Sequence, residues 1–193
     1  MLPKKVMLVV ESLDQISDVE SVLAGTPYLL DQAMAFSDDW FSVLQEEIPG
    51  VVVFSIRKPG DAFFQQVRKI NQQVSIPVVV FSESDDVEST VRAVKAGASA
   101  YVVDGLQAHR LKPILDIAIL RFQEFQSLRE ELQDAKSKLQ ARKIIDKAKG
   151  MLMAKRKMTE EEAYSSLRKM AMDKAQTLEQ VCKQVIEVLE LIG

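Results

Sequence analysis

Within the first 110 residues, short apolar runs of strand length recur at 6–10, 51–56, 78–81 and 100–103, with polar, helix-capable stretches between them. Runs that stay apolar without alternation suit strands buried on both faces of a parallel sheet. Helices are expected at 14–24, 36–45, 62–72 and 87–96, where apolar residues fall at helical spacing, and Gly97 is placed to cap the last of them. One more short strand is expected near 28–33. The alternation predicts a doubly wound α/β domain, whose function-bearing residues lie at the carboxyl ends of the strands. Those ends carry Glu11 and Ser12, Ser55, Ser82 and Asp104.

A chain of 193 residues with 47% hydrophobic content has room for that domain and a smaller one. The apolar run at 6–10 is too short for a membrane span or a signal-peptide core, and the single cysteine, Cys182, sits at an apolar helical position and has no partner for an internal disulfide. A cytoplasmic protein is the default expectation. Charge is unevenly spread: residues 1–140 carry 14 Lys and Arg against 20 Asp and Glu, whereas residues 141–193 carry 11 against 8. Seven basic residues fall between Arg142 and Lys157 with only Asp146 among them. Such a run fits either a polyanion partner or a plain solvated helix face.

The stretches Val51-Val-Val-Phe-Ser-Ile-Arg-Lys-Pro-Gly60, Ile76-Pro-Val-Val-Val-Phe-Ser82 and Ala96-Gly-Ala-Ser-Ala-Tyr101 resemble the receiver domain of bacterial response regulators, a flavodoxin-like fold. A working receiver holds magnesium with an acidic cluster, accepts a phosphoryl group on an aspartate, and uses a hydroxyl residue and a lysine to stabilise the transferred charge. Carried onto this chain, the phosphoacceptor position is Ser55, the lysine position is Asp104, and the acidic pair is Glu11 beside Ser12. Only the hydroxyl, Ser82, matches. A serine is a much weaker nucleophile than a carboxylate for this exchange, and Glu11 alone leaves magnesium short of charged ligands. The resemblance therefore implies a pseudo-receiver, with Ser55 either a residue left in a disused pocket or a site for a serine kinase. The lone histidine, His109, reads as a solvated surface residue.

From Pro113 no turn signal appears for more than thirty residues. Phe125, Leu132 and Leu139 fall at a positions of a heptad, with Leu128 and Ala135 at d, a seam that predicts a parallel coiled-coil homodimer. Across such a pair Glu124 would face Arg129, and Glu131 would face Lys136, both attractive. Arg121 at an earlier d position ends the seam, and packing of the helix within its own chain is the alternative.

Beyond Leu139 the apolar positions Ile144, Ile145, Ala148, Leu152 and Met153 continue a helix. Thr159 to Glu162 and Thr177 to Gln180 have capping-box form, so two more helices are expected from Glu160 and Leu178. Their apolar faces are Ala163, Tyr164, Leu167, Met170 and Ala171, then Val181, Val185, Ile186, Leu189 and Ile192, which together predict a three-helix bundle. Mid-helix Gly150 is expected to serve close helix packing.

The runs Ile145-Asp-Lys-Ala-Lys-Gly-Met-Leu-Met153 and Glu162-Ala-Tyr-Ser-Ser-Leu-Arg-Lys-Met-Ala171 resemble the ANTAR domain, an RNA-binding antiterminator module. Ser99-Ala-Tyr-Val-Val-Asp-Gly-Leu106 and Arg121-Phe-Gln-Glu-Phe125 are similar to its nitrate-regulated NasT-type branch in particular. The resemblance implies a regulator that binds hairpin RNA in an mRNA leader, prevents a terminator from forming, and controls nitrate or nitrite assimilation genes through a nitrate- or nitrite-responsive sensor protein. Lys147, Lys149, Lys155, Arg156, Arg168 and Lys169 are then the candidate phosphate contacts, and Tyr164 either stacks on a base or belongs to the core.

The expected organisation is a pseudo-receiver at 1–112, a coiled-coil dimerisation helix at 113–140 and an ANTAR domain at 141–193. Neither a phosphate-binding glycine loop, nor a metal set, nor a paired nucleophile and base is found, so no enzyme, metal or cofactor is expected. A phosphorylation-dependent response regulator and a DNA-binding transcription factor remain as alternatives. The first meets Ser55 and Asp104, and the second lacks a helix-turn-helix signature.

Overall fold

The computed structural model describes residues 3–191, so Ile192 lies outside the described residues. Five parallel strands form one sheet: β1 (Lys4–Val10), β2 (Tyr28–Ala35), β3 (Val51–Ile56), β4 (Val78–Ser82) and β5 (Ala100–Val102), in the order β2-β1-β3-β4-β5. Successive side chains of a strand point to opposite faces, and here both faces are apolar. Met7, Val9, Val52, Phe54, Ile56, Val78 and Val80 enter one core, while Val6, Leu8, Val10, Val51, Val53, Val79 and Phe81 enter the other.

Helices α2 (Trp40–Glu46), α3 (Asp61–Gln73) and α4 (Val87–Ala96) cover the first face, where Trp40 and Phe63 pack their rings against Phe54 at 5.2 Å. Helix α1 (Ile16–Leu23), entered through a 3₁₀ turn at Leu13–Gln15, covers the second face together with the start of α5. Gly97 ends α4 at φ 97°, in the left-handed region that glycine adopts without strain.

Three expectations shift. Phe36 lies outside a helix, because β2 runs to Ala35 and Asp39 caps α2 by accepting from the Ser42 amide. The long helix α5 spans Ala108–Arg156 and so begins ahead of Pro113. Proline costs the helix one backbone hydrogen bond, yet burial of Leu111, Leu115, Ala118 and Ile119 against the sheet outweighs it. For the same reason the first compact unit reaches Gln126 rather than 112, and the second runs from Ser127.

In the second unit the last part of α5 packs with α6 (Glu160–Asp173) and α7 (Leu178–Leu191) around Ala148, Leu152, Ala163, Leu167, Ala171, Val181, Cys182, Ile186 and Leu189. Both expected capping boxes form: the Glu162 amide donates to Thr159 Oγ1 while the Thr159 amide donates to Glu162, and Thr177 and Gln180 repeat the exchange. Burial pushes the Cys182 thiol pKa up. Met153, expected on the apolar face, is exposed. Gly150 also departs from expectation: a Cβ there would meet nothing within 4 Å, so close packing is not what requires it. Among the described residues no helix is long and apolar enough to cross a membrane.

Candidate functional site

At the carboxyl ends of the strands, Glu11, Ser12, Ser55, Ile56, Arg57, Glu83, Gly105 and Leu106 line a cleft of about 270 Å³. The register creates it: Val10 pairs with Ser55, and the Glu11 amide donates to the Ser55 carbonyl at 3.2 Å. Glu11 Oε2 accepts from Arg57 Nε at 2.9 Å, and this bond, with the charges of Glu11 and Glu83, raises the Arg57 pKa. The Ser12 hydroxyl donates to Asp14 at 2.7 Å.

Ser82 and Asp104 do not line this cleft. The Ser82 side chain is fully buried, donating to the Arg57 carbonyl at 3.1 Å and accepting from the Ser84 amide at 3.1 Å. Asp104 is exposed, in the left-handed region at φ 69°. Arg57 was legible in the sequence only as part of a receiver-like motif. A cation two residues beyond the strand-end serine, just past the strand that pairs with the one ending before Glu11, was the available signal. The donor set does not fit a receiver's magnesium ion: the cleft offers two carboxylates, one already bound to a guanidinium. No group of three or more His, Cys, Asp or Glu able to hold a metal occurs among the described residues.

The C-terminal basic residues separate into two sets. Lys147 pairs with Glu190 at 2.7 Å, and Lys155 donates to the Leu189 carbonyl, so both are tied to the end of α7. Lys149, with a side chain only 16% exposed, bridges Glu160 at 2.7 Å and Asp146 at 2.9 Å. Those bonds, to Glu160 first, raise its pKa, and the same bridge lowers that of Asp146. Three of the expected phosphate contacts are thus engaged within the chain. Two of their counter-charges, Glu160 and Glu190, lie outside the basic run on helices α6 and α7, so the run itself shows only Asp146 opposing it.

On α6 the situation reverses. Tyr164, Arg168 and Met172 form an i, i+4, i+8 row on the helix surface, with Tyr164 43% and Met172 73% exposed. Arg168 and its neighbour Lys169 are exposed, as is Arg156 at the end of α5, and none of the three makes an ion pair among the described residues. Tyr164 therefore sits at the edge of the bundle instead of in its core, and Met172 joins it without having been anticipated. Farther up α5, Phe125, Leu128, Leu132 and Leu139 are each more than half exposed, and Ala135 is exposed between them.

Residues 133–186 match the ANTAR domain family. The chain is 28% identical over 191 residues to the transcriptional regulatory protein PdtaR of Mycobacterium tuberculosis, covering 97% of this chain and 92% of that protein. It is 39% identical over 80 residues to the nitrate regulatory protein of Klebsiella oxytoca, which is 42% of this chain and 20% of that protein. Among solved structures, a LuxR-family two-component response regulator from Aurantimonas sp. SI85-9A1 superposes with a TM-score of 0.53 at 19% identity, over 61% of this chain and 86% of its own. A CheY-like receiver domain protein from Methanospirillum hungatei JF-1 does so with a TM-score of 0.52 at 14% identity, over 63% and 98%. The strand order and the helical bundle agree with these matches: the chain carries a receiver-fold domain, followed by a helical unit that matches the ANTAR domain family.

Proposed function

We propose that the protein is a transcription antiterminator that binds hairpin RNA in an mRNA leader through the exposed face of α6. The observation that carries this reading is the row Tyr164, Arg168 and Met172 beside Lys169. An aromatic ring and an exposed thioether offer apolar surface to an unstacked loop base. The unpaired cations, with Arg156 on α5, meet its phosphates. Lys147, Lys149 and Lys155 serve chiefly to hold the bundle together.

A homodimer along Phe125, Leu128, Leu132, Ala135 and Leu139 supports the same reading, since a second binding face on one particle makes the second hairpin contact intramolecular. Control comes from a nitrate- or nitrite-responsive sensor protein rather than from phosphorylation. The likeness to a nitrate regulatory protein and the serine at position 55 support that choice, which acts in nitrate assimilation.

The test is binding to a two-hairpin leader RNA across a salt series, with duplex DNA and unrelated RNA as competitors and a cognate sensor added with and without nitrate. Salt-sensitive preference for the hairpins, released by nitrate from the sensor, is the expected result. Equal binding to duplex DNA would replace antitermination with a DNA-binding role. An unchanged response to the sensor would remove the nitrate assignment alone.

A further inference from the structure

The receiver fold implies a divalent cation at the strand ends, and the side chains of this cleft are arranged around a different cation. Arg57 lies on the strand-end turn just past β3, and its side chain reaches Glu11 at the end of β1. Its backbone carbonyl accepts from Ser82 Oγ and from the Ser84 amide, both 3.1 Å away, at the end of β4. One residue thus ties together the carboxyl ends of three neighbouring strands, and the hydroxyl nearest in type to a receiver's is drawn to that backbone and buried.

We propose that Arg57 is a built-in counter-ion that takes the electrostatic place of the metal in this cleft, so that the domain keeps its strand ends in one arrangement and excludes Mg²⁺. The inference rests on the reading of this domain as a receiver that does not switch on phosphate, and it adds the residue responsible. Magnesium requires near-octahedral oxygen ligands at about 2.0–2.1 Å and gives up its waters reluctantly. Here it would have to displace a guanidinium from Glu11 and then find only Glu83 as a second carboxylate lining the cleft. A guanidinium stays charged at any physiological pH, so the substitution for the metal is permanent, whereas a histidine would lose its charge near neutral pH. The side chain of Arg57 is 75% exposed, which leaves the pair screened by salt and sets the size of the effect at several-fold.

The experiment uses the full-length chain, isotopically labelled, with Mn²⁺ as a paramagnetic probe and Mg²⁺ as its competitor. Four proteins are compared: wild type, R57A, S55D and S55D/R57A. Wild type should show no broadening of the Glu11, Ser55 and Glu83 amide signals at Mn²⁺ concentrations that leave other surface carboxylates unaffected. S55D supplies a further carboxylate beside Glu11, and with Arg57 present its metal affinity should stay weak. Removing Arg57 from that background should tighten Mn²⁺ by at least about fivefold, with Mg²⁺ reversing the broadening.

Equal affinity of S55D and S55D/R57A, or specific broadening of the wild-type cleft, would overturn the proposal. The exposure of Arg57 makes misfolding of R57A no concern for the scaffold, and the wild-type titration stands without any variant. Phosphate uptake from acetyl phosphate, followed separately, decides whether the domain switches on phosphate. A wild type that binds Mn²⁺ in the cleft yet takes no phosphate would defeat the counter-ion and leave the phosphate-independent reading intact.

Discussion

At the carboxyl ends of the receiver strands the polar groups are turned on one another: Glu11 on Arg57, Ser12 on Asp14, Ser82 on the Arg57 carbonyl. On α6 of the ANTAR unit, Tyr164, Arg168 and Lys169 face outward with no ion pair among the described residues. Both regions hold residue types suited to binding, yet only one leaves them available. Lys147, Lys149 and Lys155 belong by position to the second region and by chemistry to the first, because carboxylates and a helix end already occupy them. A charged group counts toward recognition only after its partners within the chain are subtracted.

The units also differ in the depth of their cores, and the largest expected effects probe that. Leu167 is fully buried in the small ANTAR core, while Phe54 is fully buried in a core that also holds Trp40 and Phe63. Leu167→Ala should cost about 2–5 kcal/mol and Phe54→Ala about 3–5 kcal/mol. A bundle of this size holds only a few kcal/mol in reserve, so L167A should lose its helical signal and its RNA binding together, whereas F54A should lower the receiver melting temperature and leave it folded at 25 °C. Trp40, the sole tryptophan, reports on the receiver unit alone by fluorescence, and far-UV circular dichroism follows both. An L167A protein that melts cooperatively near the wild-type temperature would contradict the difference in depth.

Next in size is the contrast between an available cation and an engaged one. Arg168→Ala should weaken hairpin binding about tenfold and reduce the slope of log affinity against log salt by about 0.7–0.9. Lys149→Ala removes the bridge between α5 and α6, so it should lower the melting temperature and leave the salt slope nearly unchanged. If K149A changed the slope as R168A does while the melt stayed put, the sorting of cations into two sets would be wrong.

That sorting marks where sequence reading ends. Strand positions were legible because four stretches are continuous apolar runs, with the edge strand β2 the less regular fifth, and β3 and α4 fall at the expected bounds. The α6 and α7 starts were legible because a capping box is a local exchange between residues three apart. The start of α5 was not, since its first turns are set by burial of Leu111 and Leu115 against strands far away in sequence. Nor were the partners that Lys147 and Lys149 find on other helices, which lie 43 and 11 residues off. Residue types at the cleft could be read from motif positions; their commitments to one another, Arg57 above all, required the fold.

Gly150 offers a smaller test of the same distinction within α5. A mid-helix glycine lowers stability, and the open space around this one means that alanine would meet no neighbour. Gly150→Ala should therefore stabilise the ANTAR unit by about 0.5–1 kcal/mol, read as a higher melting temperature by circular dichroism. A gain in stability together with weaker hairpin binding would show that the glycine keeps room for RNA. A loss of stability would mean that the helix surface there is covered in the folded protein.

The smallest effects concern acid, and they separate the units by how their helices are capped. In the receiver, Asp86 caps α4, and hydrogen bonds from Ser84 and Ser89 hold its pKa at about 2 against an ordinary 3.8. In the ANTAR unit, the Thr159 backbone and side chain hold Glu162 below its ordinary value. A lowered folded-state pKa means that the unfolded chain binds the proton first, so each contribution is complete above about pH 4–5 and fades as pH falls through the folded value. For Asp86 the loss should run from about pH 4 to 2. Asparagine keeps the capping oxygen without the charge. D86N should flatten the acid dependence of the Trp40-monitored melt and leave the ANTAR melt untouched, while Glu162→Gln should do the reverse. Either substitution altering both melts equally would show that the two units unfold together as one cooperative body.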